Sequence, residues 1–560
     1  MANLVSPGVQ VKEIDLTNVV PSVSSTIGAM AGAFDWGPCE EIHTVSSETE
    51  LVEKFGKPGE SYTWESVLTA AQFLSYGSAL KVVRTIQSTA RNATASGTGI
   101  LAKNDDHFST LTPAAADWVM ARHPGVKGSA LKVHYATQAA SFNSNALFKS
   151  WVESAPGTSA GAAAVGGSLD EIHVVVTDET GEISGTAGTV LETFGFLSQA
   201  RDVKSSDGTS LYYKDHINTN SKWIRIGNHP AALTDAGEAA AGNTFTVTTV
   251  ASNSLSGGVD GNICTVGDLT AMYNLFADAE TVDINLVFQS KADFNAADNI
   301  TMGNFLVALA AARKDAVAFV SPERTATVNA SAPATAVATW RTGLTSSSYG
   351  FADSSSLYVY DKYNDRYRWI AAAGSMAGLT ANADLVADAW FSPAGFTRGN
   401  VRNVTKLAWN PNQADRDALY KTGVNPIVTF PGQGTVLFGD KTLQAKPSAF
   451  DRINVRRLFI VLEKAVSAAS KASLFEFNDE FTRAQFRNMV EPFLRDVQGR
   501  RGITDFKVVC DGTNNTGNII DTNKFVADIY VKPARSINYI TLNFIATRTG
   551  VEFSEIAGGN

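Results

Sequence analysis

Two stretches near the end of the chain carry the hydrophobic pattern of amphipathic helices. The first has apolar side chains at i, i+3 and i+4 spacing: Leu458, Val461, Leu462, Ala465, Ala469 and Ala472. The second has them at Phe486, Met489, Val490, Phe493, Leu494 and Val497. Because this spacing places side chains on one helical face, both stretches are predicted to be helices that bury that face. Asn478 or Asp479 is the predicted N-cap of the second helix. Pro492 predicts a kink in it, since proline lacks a backbone donor.

The middle of the chain alternates between helix and strand patterns. Leu269, Met272, Tyr273 and Phe276 fall on one helical face. The strand "DINLVF" (283–288), a helix near "NFLVALAAARKD" (304–315) and the strand "AVAFVSP" (316–322) follow. This order predicts a right-handed βαβ unit. Further upstream, "EIHVVVTDETGEI" (171–183) predicts two strands joined by an Asp-Glu-Thr-Gly turn.

Both ends of the chain have the alternating pattern of strands. In "PGVQVKEI", Val9 and Val11 share one face. In "INYITLNFIA", Ile540, Leu542 and Phe544 share one face, and Tyr539, Thr541 and Asn543 share the other. Because an isolated strand pair is marginally stable, these ends are expected to add to the edge of another sheet.

Composition limits the class of protein. A chain of 560 residues, with 44% apolar and 18% charged residues, predicts a globular protein of roughly three or four domains with a large core. A net charge of −9 argues against a general nucleic-acid binder. The three cysteines lie far apart, which suits a reducing cytoplasm. The N-terminus has no signal-peptide pattern, and no apolar run approaches the roughly 18 residues of a membrane span.

Small polar stretches divide the chain. Residues 88–99, 154–168 and 324–339 are rich in Ala, Ser, Thr and Gly and are predicted to be linkers. No repeat of fixed period is present. The predicted fold is mixed α/β (α+β) and multidomain, with an α/β domain near the C-terminus. The predicted segments are an N-terminal arm (1–20), a first core part (21–99), an insert (100–325), a core and C-terminal domain (326–510) and a C-terminal strand arm (511–560).

The segment "GTVLFGDKT" (434–442) resembles a phosphate-binding loop without having its chemistry. Gly434 and Gly439 have the P-loop spacing, but Asp440 stands where the lysine belongs. The residues between the glycines are strand-forming rather than flexible. The segment is therefore predicted to be a strand followed by a turn, and a nucleotide-binding enzyme is the minor alternative.

Other candidate catalytic or metal sites are also weak. "GTSAG" (157–161) matches the GxSxG nucleophile elbow around Ser159 but lies in low-complexity sequence, which predicts a flexible loop. Asp105 and Asp106 are predicted to lie in a solvated loop, and His123 in a turn before Pro124. No HExxH and no tight His/Cys cluster is present. No catalytic residue, cofactor or metal site is predicted.

A local excess of positive charge marks the two C-terminal helices. Residues 451–510 hold eleven Lys or Arg and eight Asp or Glu. The arginines on or beside the predicted helices include Arg456, Arg457, Arg483, Arg487 and Arg495. Two interpretations stay open: a solvated helix face, and a docking surface for an acidic protein partner.

Six segments in order resemble the contractile tail sheath proteins of phages. They are "SPGVQVKEID" (6–15), "GAFDWGPCEEIHTVSSETELVEKFG" (32–56), "ARHPGVKGSALKV" (121–133), "GVNPIVTFPGQGTVLFGDKTL" (423–443), "RINVRRLFIVLEKAV" (452–466) and "FEFNDEFTRAQFRNMVEPFLRDVQGRRGITDFKVVCD" (475–511). The resemblance covers most of the chain and is strongest at both ends. The P-loop look-alike falls inside one of these segments, which favours a structural role for it.

The resemblance implies a structural subunit without enzymatic activity. Subunits of this family polymerise as stacked hexameric rings around an inner tail tube and contract to drive the tube through the host envelope. The implied partners are further copies of the chain, the tail tube protein, and baseplate and tail terminator proteins, without direct nucleic-acid contact or membrane insertion. The implied location is the virion tail, assembled in the host cytoplasm. A sheath of a bacteriocin-type injection particle is the alternative within the same mechanics.

The resemblance also assigns roles to residues. The chain ends become inter-subunit strand arms, with Val9, Val11, Ile14, Tyr539, Ile540, Leu542 and Phe544 as their strand residues. The C-terminal domain lies against the tube, which makes Arg456, Arg457, Arg483, Arg487 and Arg495 the tube-facing candidates. The insert faces outward as an α/β-plus-β region.

Overall fold

The computed structural model describes residues 23–538, which form two compact units. Residues 23–472 lie in the larger one, the central unit, and residues 473–538 lie in the smaller one, the C-terminal unit. The seven arm residues Val9, Val11, Ile14, Tyr539, Ile540, Leu542 and Phe544 lie outside the described residues. Their assigned role therefore stays a prediction.

The strands are short and follow the chain in this order. The first ten are β1 (Gly28–Ala33), β2 (Ile42–Val45), β3 (Leu80–Thr85), β4 (Val119–Ala121), β5 (Leu131–Ala136), β6 (Glu171–Asp178), β7 (Thr189–Ser198), β8 (Ile224–Ile226), β9 (Ala251–Ser254) and β10 (Leu286–Phe288). The next ten are β11 (Val317–Val320), β12 (Gly350–Asp353), β13 (Leu357–Asp361), β14 (Arg366–Ile370), β15 (Lys406–Leu407), β16 (Val424–Asn425), β17 (Ile427–Phe430), β18 (Gly434–Leu437), β19 (Ile503–Val509) and β20 (Asp528–Pro533).

The helices range from single turns to twenty residues. The first eight are α1 (Glu48–Phe55), α2 (Trp64–Leu74), α3 (Asp105–Ser109), α4 (Ala139–Ser144), α5 (Ala146–Trp151), α6 (Ala160–Ala164), α7 (Tyr213–Asn220) and α8 (Val266–Tyr273). The others are α9 (Ala296–Arg313), α10 (Arg324–Thr327), α11 (Pro333–Thr342), α12 (Ala373–Val386), α13 (Gln413–Thr422), α14 (Ile453–Ser470), α15 (Glu480–Gly499) and α16 (Gly517–Asp521).

A seven-stranded sheet organises the central unit. Its strand order is β16-β12-β11-β10-β1-β3-β2, and every neighbouring pair is parallel except β2–β3. Side chains alternate between two buried clusters, as the pleat requires. Met30, Phe288 and Phe319 belong to one cluster, and Ala29 and Val287 belong to the other. Burial on both faces explains the near-continuous apolar strands of this sheet.

The small residues of β1 let a helix pack closely on the sheet. A Cβ atom added to Gly28 would lie 2.5 Å from the Phe73 ring of α2, and one added to Gly32 would lie 2.8 Å from Ser66 of the same helix. These distances are shorter than van der Waals contact, so a larger side chain at either position would displace the helix. The motif "GAMAGA" is therefore a packing requirement of the core.

The predicted βαβ unit is present as part of this sheet. β10, α9 and β11 follow one another, and β10 pairs with β11 in parallel. The predicted helical face at Leu269 to Phe276 falls on α8 and the 3-10 turn that follows it. The prediction that the insert extends to residue 325 is wrong, because β10 and β11 are central strands of the core sheet.

The insert between β3 and β10 has its own antiparallel core. A four-stranded sheet in the order β7-β6-β5-β9 and a pair β4–β8 fill it. The predicted strand pair in "EIHVVVTDETGEI" is only half correct, since β6 matches but its partner β7 begins at Thr189. Two predicted linkers contain helices: α6 lies within 154–168, and α10 and most of α11 lie within 324–339. Alanine-rich sequence favours helix wherever packing supports it.

Residues 473–538 of the C-terminal unit contain the long helix α15, the short helix α16 and one hairpin. Asp479 caps α15 by accepting a hydrogen bond from the Thr482 backbone, as predicted, and Pro492 lies inside the helix. The buried face of α15 holds five of the six residues predicted for it: Phe486, Met489, Val490, Leu494 and Val497. The predicted boundary after residue 510 falls inside the hairpin that β19 and β20 form, so β20 is a part of this unit. The predicted fold class, mixed α/β and multidomain, is confirmed.

Candidate assembly surfaces

Two of the five predicted tube-facing arginines are buried. Arg456 is 5% exposed and donates to the Tyr349 hydroxyl at 3.0 Å, with its guanidinium 4.0 Å from the centre of the Phe450 ring. Arg457 is 4% exposed and forms an ion pair with Asp384. The structure therefore corrects the prediction for Arg456 and Arg457, because both are internal residues with internal partners. Helical periodicity did not reveal this, since a buried arginine and an exposed one have the same spacing.

The other three arginines lie on α15 with more accessible side chains. Arg483 is half-buried and donates to the carbonyls of Asn478 at 3.2 Å and Asp479 at 3.0 Å. Arg487 is half-buried one turn later. The side chain of Arg495 is 71% exposed and lies 3.7 Å from Glu491. An exposed i, i+4 pair of this kind contributes little to folding, so its charge is available to a partner. Contact of these three residues with a tube stays a prediction.

Large apolar side chains are exposed at the start of the C-terminal unit. Leu474 is 62% exposed, Phe475 105%, Phe477 84% and Phe481 72%. We refer to residues 474–481 as the phenylalanine segment. Soluble monomers rarely expose a contiguous apolar patch, and such patches mark binding surfaces. Hydrophobic periodicity does not single out this segment, because its phenylalanines lie just outside the two amphipathic patterns and fit neither.

Among the described residues, neither edge of the β19–β20 hairpin is paired with a further strand. It is a two-stranded sheet within residues 23–538, with Phe506 opposite Val531 and Val508 opposite Ile529. Its strands are half-exposed, and the pair between Lys532 and Asp505 at 3.0 Å lies in solvent. A two-stranded sheet is marginal alone, and each open edge presents unpaired backbone groups to an incoming strand.

The central unit also exposes aromatic side chains. Tyr358, Tyr360, Tyr367 and Trp369 lie on one face of the β13–β14 hairpin, with ring centres 4.5–5.3 Å apart. The ammonium of Lys406 lies 4.7 Å from the Tyr358 ring centre. Tyrosine, tryptophan and cationic side chains are the types enriched at protein interfaces.

A second exposed aromatic group lies at the β17–β18 hairpin. Phe396, Phe430 and Phe438 have ring centres 5.2–6.0 Å apart, and Phe396 is 51% exposed. The guanidinium of Arg416 lies 5.7 Å from the Phe430 ring centre. Such a cluster is apolar enough to favour contact with another protein surface.

The P-loop look-alike is a strand and a turn, as predicted. Gly434–Leu437 is β18, paired with β17 in register from Phe430–Gly434 to Ile427–Leu437. Asp440 is buried and accepts hydrogen bonds from Tyr420 at 3.1 Å and Ser392 at 3.2 Å. The segment has the geometry of a hairpin and lacks the helix that must follow a phosphate loop.

Ser159 is a helix cap and not a flexible residue. It is 5% exposed, accepts a hydrogen bond from the Ala162 backbone and donates to Asp170 Oδ2 at 2.7 Å. The prediction of a flexible loop is wrong, because a serine before an alanine run forms an N-cap. The same Asp170 carboxylate also accepts a hydrogen bond from the Ser198 hydroxyl. These bonds give Ser159 a structural role in this part of the fold.

The other polar positions flagged in the sequence are structural as well. Asp105 begins α3 and pairs with Arg225 at 2.6 Å and Arg122 at 3.0 Å, so the prediction of a loop was wrong. His123 lies in the predicted turn but is buried edge-on to Trp36, and this burial lowers its pKa. Among residues 23–538, no group of three or more His, Cys, Asp or Glu could hold a metal ion. Within the same range, no helix has the length and apolar character needed to cross a membrane.

Two buried carboxyl groups join the strands of the central sheet to neighbouring segments. Asp353 ends β12 and accepts from the Ser321 hydroxyl at 2.6 Å, and burial raises its pKa to about 8. Burial also raises the pKa of Glu65, which pairs with Arg324 at 2.6 Å. Glu65 accepts from the Ala292 backbone at 2.8 Å, which ties α2 to the segment after β10. These groups serve packing, since each is enclosed by its partners.

Models of known protein families match three separate parts of the chain. Residues 25–85 match the model of the tail sheath protein Gp18 domain III N-terminal region. Residues 268–443 match the phage tail sheath protein central domain, and residues 445–547 match the phage tail sheath C-terminal domain. The insert between residues 85 and 268 lies between two of these matches.

Whole-length relatives and solved structures agree with these matches. The tail sheath protein of Vibrio phage KVP40 is 34% identical over 99% of this chain and 100% of the relative. That of Enterobacteria phage T4 is 33% identical over 99% of both chains. Among solved structures, a sheath tail protein of Listeria innocua is similar with a TM-score of 0.54 at 11% identity, covering 92% of this chain and 96% of that one. The contracted helical sheath of the anti-feeding prophage is similar with a TM-score of 0.52 at 13% identity, covering 98% and 100%. At these identities the two structures support the fold alone.

Proposed function

Because the chain belongs to the phage tail sheath family, we propose that it polymerises as stacked six-fold rings around an inner tail tube. It is a subunit of a contractile tail sheath, and the observation that carries this is the 33–34% identity to phage sheath proteins over 99% of the chain. The ring symmetry and the tube are the proposed details. Electron microscopy of the purified protein with tail tubes tests them, and six-fold rings or tubular sheaths are expected. A persistent monodisperse monomer would contradict the proposal.

The sheath contracts without a nucleotide. The support is that the one P-loop-like segment is a hairpin whose Asp440 is buried among hydrogen-bond donors. The work then comes from a lower-energy packing of subunits that a trigger releases. Purified tails treated with a nucleotide-degrading enzyme are expected to contract normally. A requirement for added ATP would overturn this mechanism.

The chain ends couple neighbouring subunits by adding strands to a shared sheet. The proposed strand residues are Val9, Val11, Ile14, Tyr539, Ile540, Leu542 and Phe544. The support is the β19–β20 hairpin, which within residues 23–538 has no further strand at either edge and so offers two edges to incoming strands. An added strand of about five backbone hydrogen bonds contributes roughly 3–7 kcal/mol at about 0.5–1.5 each, less the entropy of ordering the arm.

Removal of residues 1–16 tests this coupling. The truncated chain is expected to stay folded, with an unchanged circular dichroism spectrum, and to lose polymerisation. Sheaths of normal length from the truncated protein would contradict the coupling role. A truncated chain that does not fold would show that the arm belongs to the core of its own subunit.

The C-terminal unit contacts the tube and other subunits. Arg483, Arg487 and Arg495 are the proposed tube-facing residues, supported by their accessible side chains on one helix. The phenylalanine segment is proposed as an apolar contact between copies of the chain, supported by the exposure of Phe475, Phe477 and Phe481. The segment runs into the first turn of α15, so apolar and charged contacts would follow one another along the chain.

The remaining partners are the baseplate and tail terminator proteins, which would bind the first and last rings. The assembled protein would be part of a phage tail formed in the host cytoplasm, and a genome-delivering phage is favoured over a bacteriocin-type particle because the relatives are phage proteins. Fractionation of infected cells before lysis tests the site of assembly, and tails recovered from the cytoplasmic fraction are the expected result. Tails recovered with the envelope fraction alone would contradict it.

A further inference from the structure

The chain enters the central sheet through a short irregular segment, residues 23–27, which we call the arm root. Strand β1 begins one residue later, at Gly28. The carbonyl of Ile27 accepts hydrogen bonds from the backbone of Asn285 at 2.9 Å and Leu286 at 3.0 Å. Its amide donates to Asn285 Oδ1 at 3.3 Å. The sheet therefore holds the chain from Ile27 onward.

One further bond holds the arm root upstream of the sheet. The Nη2 group of Arg457 donates to the carbonyl oxygen of Ser25 at 3.0 Å. Within residues 23–538, Ser25 is the residue nearest the amino terminus for which the structure gives a hydrogen bond to the rest of the central unit. The bond lies on the path by which any load from the N-terminal arm would enter the subunit.

The guanidinium of Arg457 is itself fixed by helix α12. It pairs with the carboxylate of Asp384 and also donates to the carbonyls of Thr380 at 3.3 Å and Ala389 at 3.4 Å. Both charged side chains are about 5% exposed. A planar fork with several fixed acceptors has little freedom, so its remaining donor has a defined direction toward Ser25.

Arg457 also belongs to the last helix of the central unit. Helix α14 ends at Ser470, and the central unit ends at Ala472. The same residue therefore joins the segment by which the chain enters this unit to the helix by which the chain leaves it.

We propose that Arg457, held by Asp384, is a positioning residue that anchors the arm root to α12 and α14. This proposal rests on the proposed coupling role of the N-terminal arm. With the anchor in place, tension on the arm is transmitted from Ser25 through Arg457 to helices α12 and α14. Without it, residues 25 and 26 are released up to Ile27 and add at most roughly 7 Å of extended chain. Slack of this size lowers the effective concentration of the arm at its neighbour and so weakens coupling.

The test removes the anchor without leaving a lone buried charge. The double variant D384N/R457Q replaces both charged groups with neutral ones of similar shape, because removal of one partner alone would leave the other buried and unpaired. R456Q is the matched control: Arg456 is the preceding residue on α14 and equally buried, but it donates to Tyr349. A second variant, R457K, keeps a charge beside Asp384 and loses the fork that also reaches Ser25.

Hydrogen exchange of the monomer reads the anchor directly. In D384N/R457Q and in R457K, the Ile27 amide, which donates to Asn285 Oδ1 at 3.3 Å, is expected to exchange about tenfold faster than in the wild type, the factor for losing one charge-assisted hydrogen bond nearby. R456Q is expected to leave the exchange of this amide unchanged. Unchanged exchange of the Ile27 amide in both Arg457 variants would overturn the proposal.

Sheath polymerisation tests whether loss of the anchor weakens coupling between subunits. If the Ile27 amide exchanges faster in the Arg457 variants, these variants are expected to form fewer and shorter sheaths than R456Q. Faster exchange with sheaths of normal length would also overturn the proposal, because the bond would then have no effect on the arm. Failure of the coupling role itself is recognised separately, as normal sheaths from the chain that lacks residues 1–16.

Discussion

The central unit and the C-terminal unit bury their apolar residues to very different extents. In the central unit, Phe288, Phe319 and Phe351 are at most 1% exposed within a sheet that is covered on both faces. In the C-terminal unit, Phe477 and Phe481 are more than 70% exposed. Burial of apolar area stabilises the first unit, whereas the second leaves apolar area exposed, a feature typical of binding surfaces. A sheath subunit needs both, since it must stay folded while its contacts with neighbours change.

Three arginine ion pairs show a similar contrast between the units. In the central unit, Arg368 is 8% exposed in its pair with Asp361, and Arg457 is enclosed with Asp384. In the C-terminal unit, Arg495 and Glu491 form an exposed pair. Removal of one partner from an enclosed pair strongly lowers the stability of the protein, because the other charge stays buried and unpaired. Removal of one partner from an exposed pair has little effect. Substitution of Arg368 is therefore expected to reduce stability far more than substitution of Arg495.

The largest expected contrast is between two phenylalanines. Phe319→Ala removes a fully buried ring that lies 5.4 Å from Phe351, and should lower the free energy of unfolding of the central unit by about 4 kcal/mol. Phe477→Ala should change the stability of the monomer by less than about 0.5 kcal/mol and should slow polymerisation. Urea unfolding and light scattering measure the two effects. Equal loss of stability in both variants would break the contrast.

The arginine pairs should give the next largest difference. Arg368→Ala leaves the Asp361 carboxylate enclosed without its 3.0 Å partner, and should cost about 3 kcal/mol. Arg495→Ala should cost less than about 0.5 kcal/mol, since its pair with Glu491 is exposed. Thermal unfolding of the two variants checks this. A small effect for Arg368→Ala would show that the enclosed pair is not required for stability.

A smaller effect is expected from the buried carboxyl group of Asp353. Burial raises its pKa to about 8 in the folded chain, against about 3.9 for an unfolded aspartate. Between these values folding takes up a proton, so stability falls as pH rises, by about 1.4 kcal/mol per pH unit. From pH 5.5 to 7, the wild type should therefore lose about 2 kcal/mol relative to Asp353→Asn, which has no proton to release. Parallel stability profiles of the two proteins would contradict the raised pKa.

The smallest effect on stability, but a clear one on assembly, is expected from charge reversal on α15. The double variant R483E/R487E should leave the monomer folded with little change in its unfolding midpoint. Its assembly on tail tubes should weaken at low salt, and the difference from wild type should shrink as salt screens the charges. Charge reversal at Arg456 would not serve the same test, because this side chain is buried. Unchanged assembly at low salt would remove these arginines from the tube contact.

Local patterns in the sequence predicted local structure well. The face of α15, its Asp479 cap and the order β10-α9-β11 were all predictable, because each depends on residues close in the chain. The same holds for β18, whose run of strand-forming residues excluded a phosphate loop. The family resemblance, confirmed by the whole-length relatives, added the function that these patterns alone did not indicate.

Long-range pairing was beyond the sequence. Strand β1 pairs with β10 about 250 residues later, so the end of the insert could not be placed from composition. Nor could spacing distinguish Arg457, whose partners Asp384 and Ser25 lie on distant segments, from Arg483 on a helix surface. Burial of a charge depends on which partner the fold brings to it, and that partner is not visible in a local pattern.

We expect the central unit to keep its internal structure during contraction, while strands added to the C-terminal unit keep subunits connected. Electron microscopy of the sheath before and after contraction, at residue resolution, tests this most directly. Residues 23–472 should superpose internally in the two states, and the β19–β20 hairpin should be paired with strands from neighbouring subunits in both. A hairpin without added strands in either state, or a rearranged seven-stranded sheet, would contradict it.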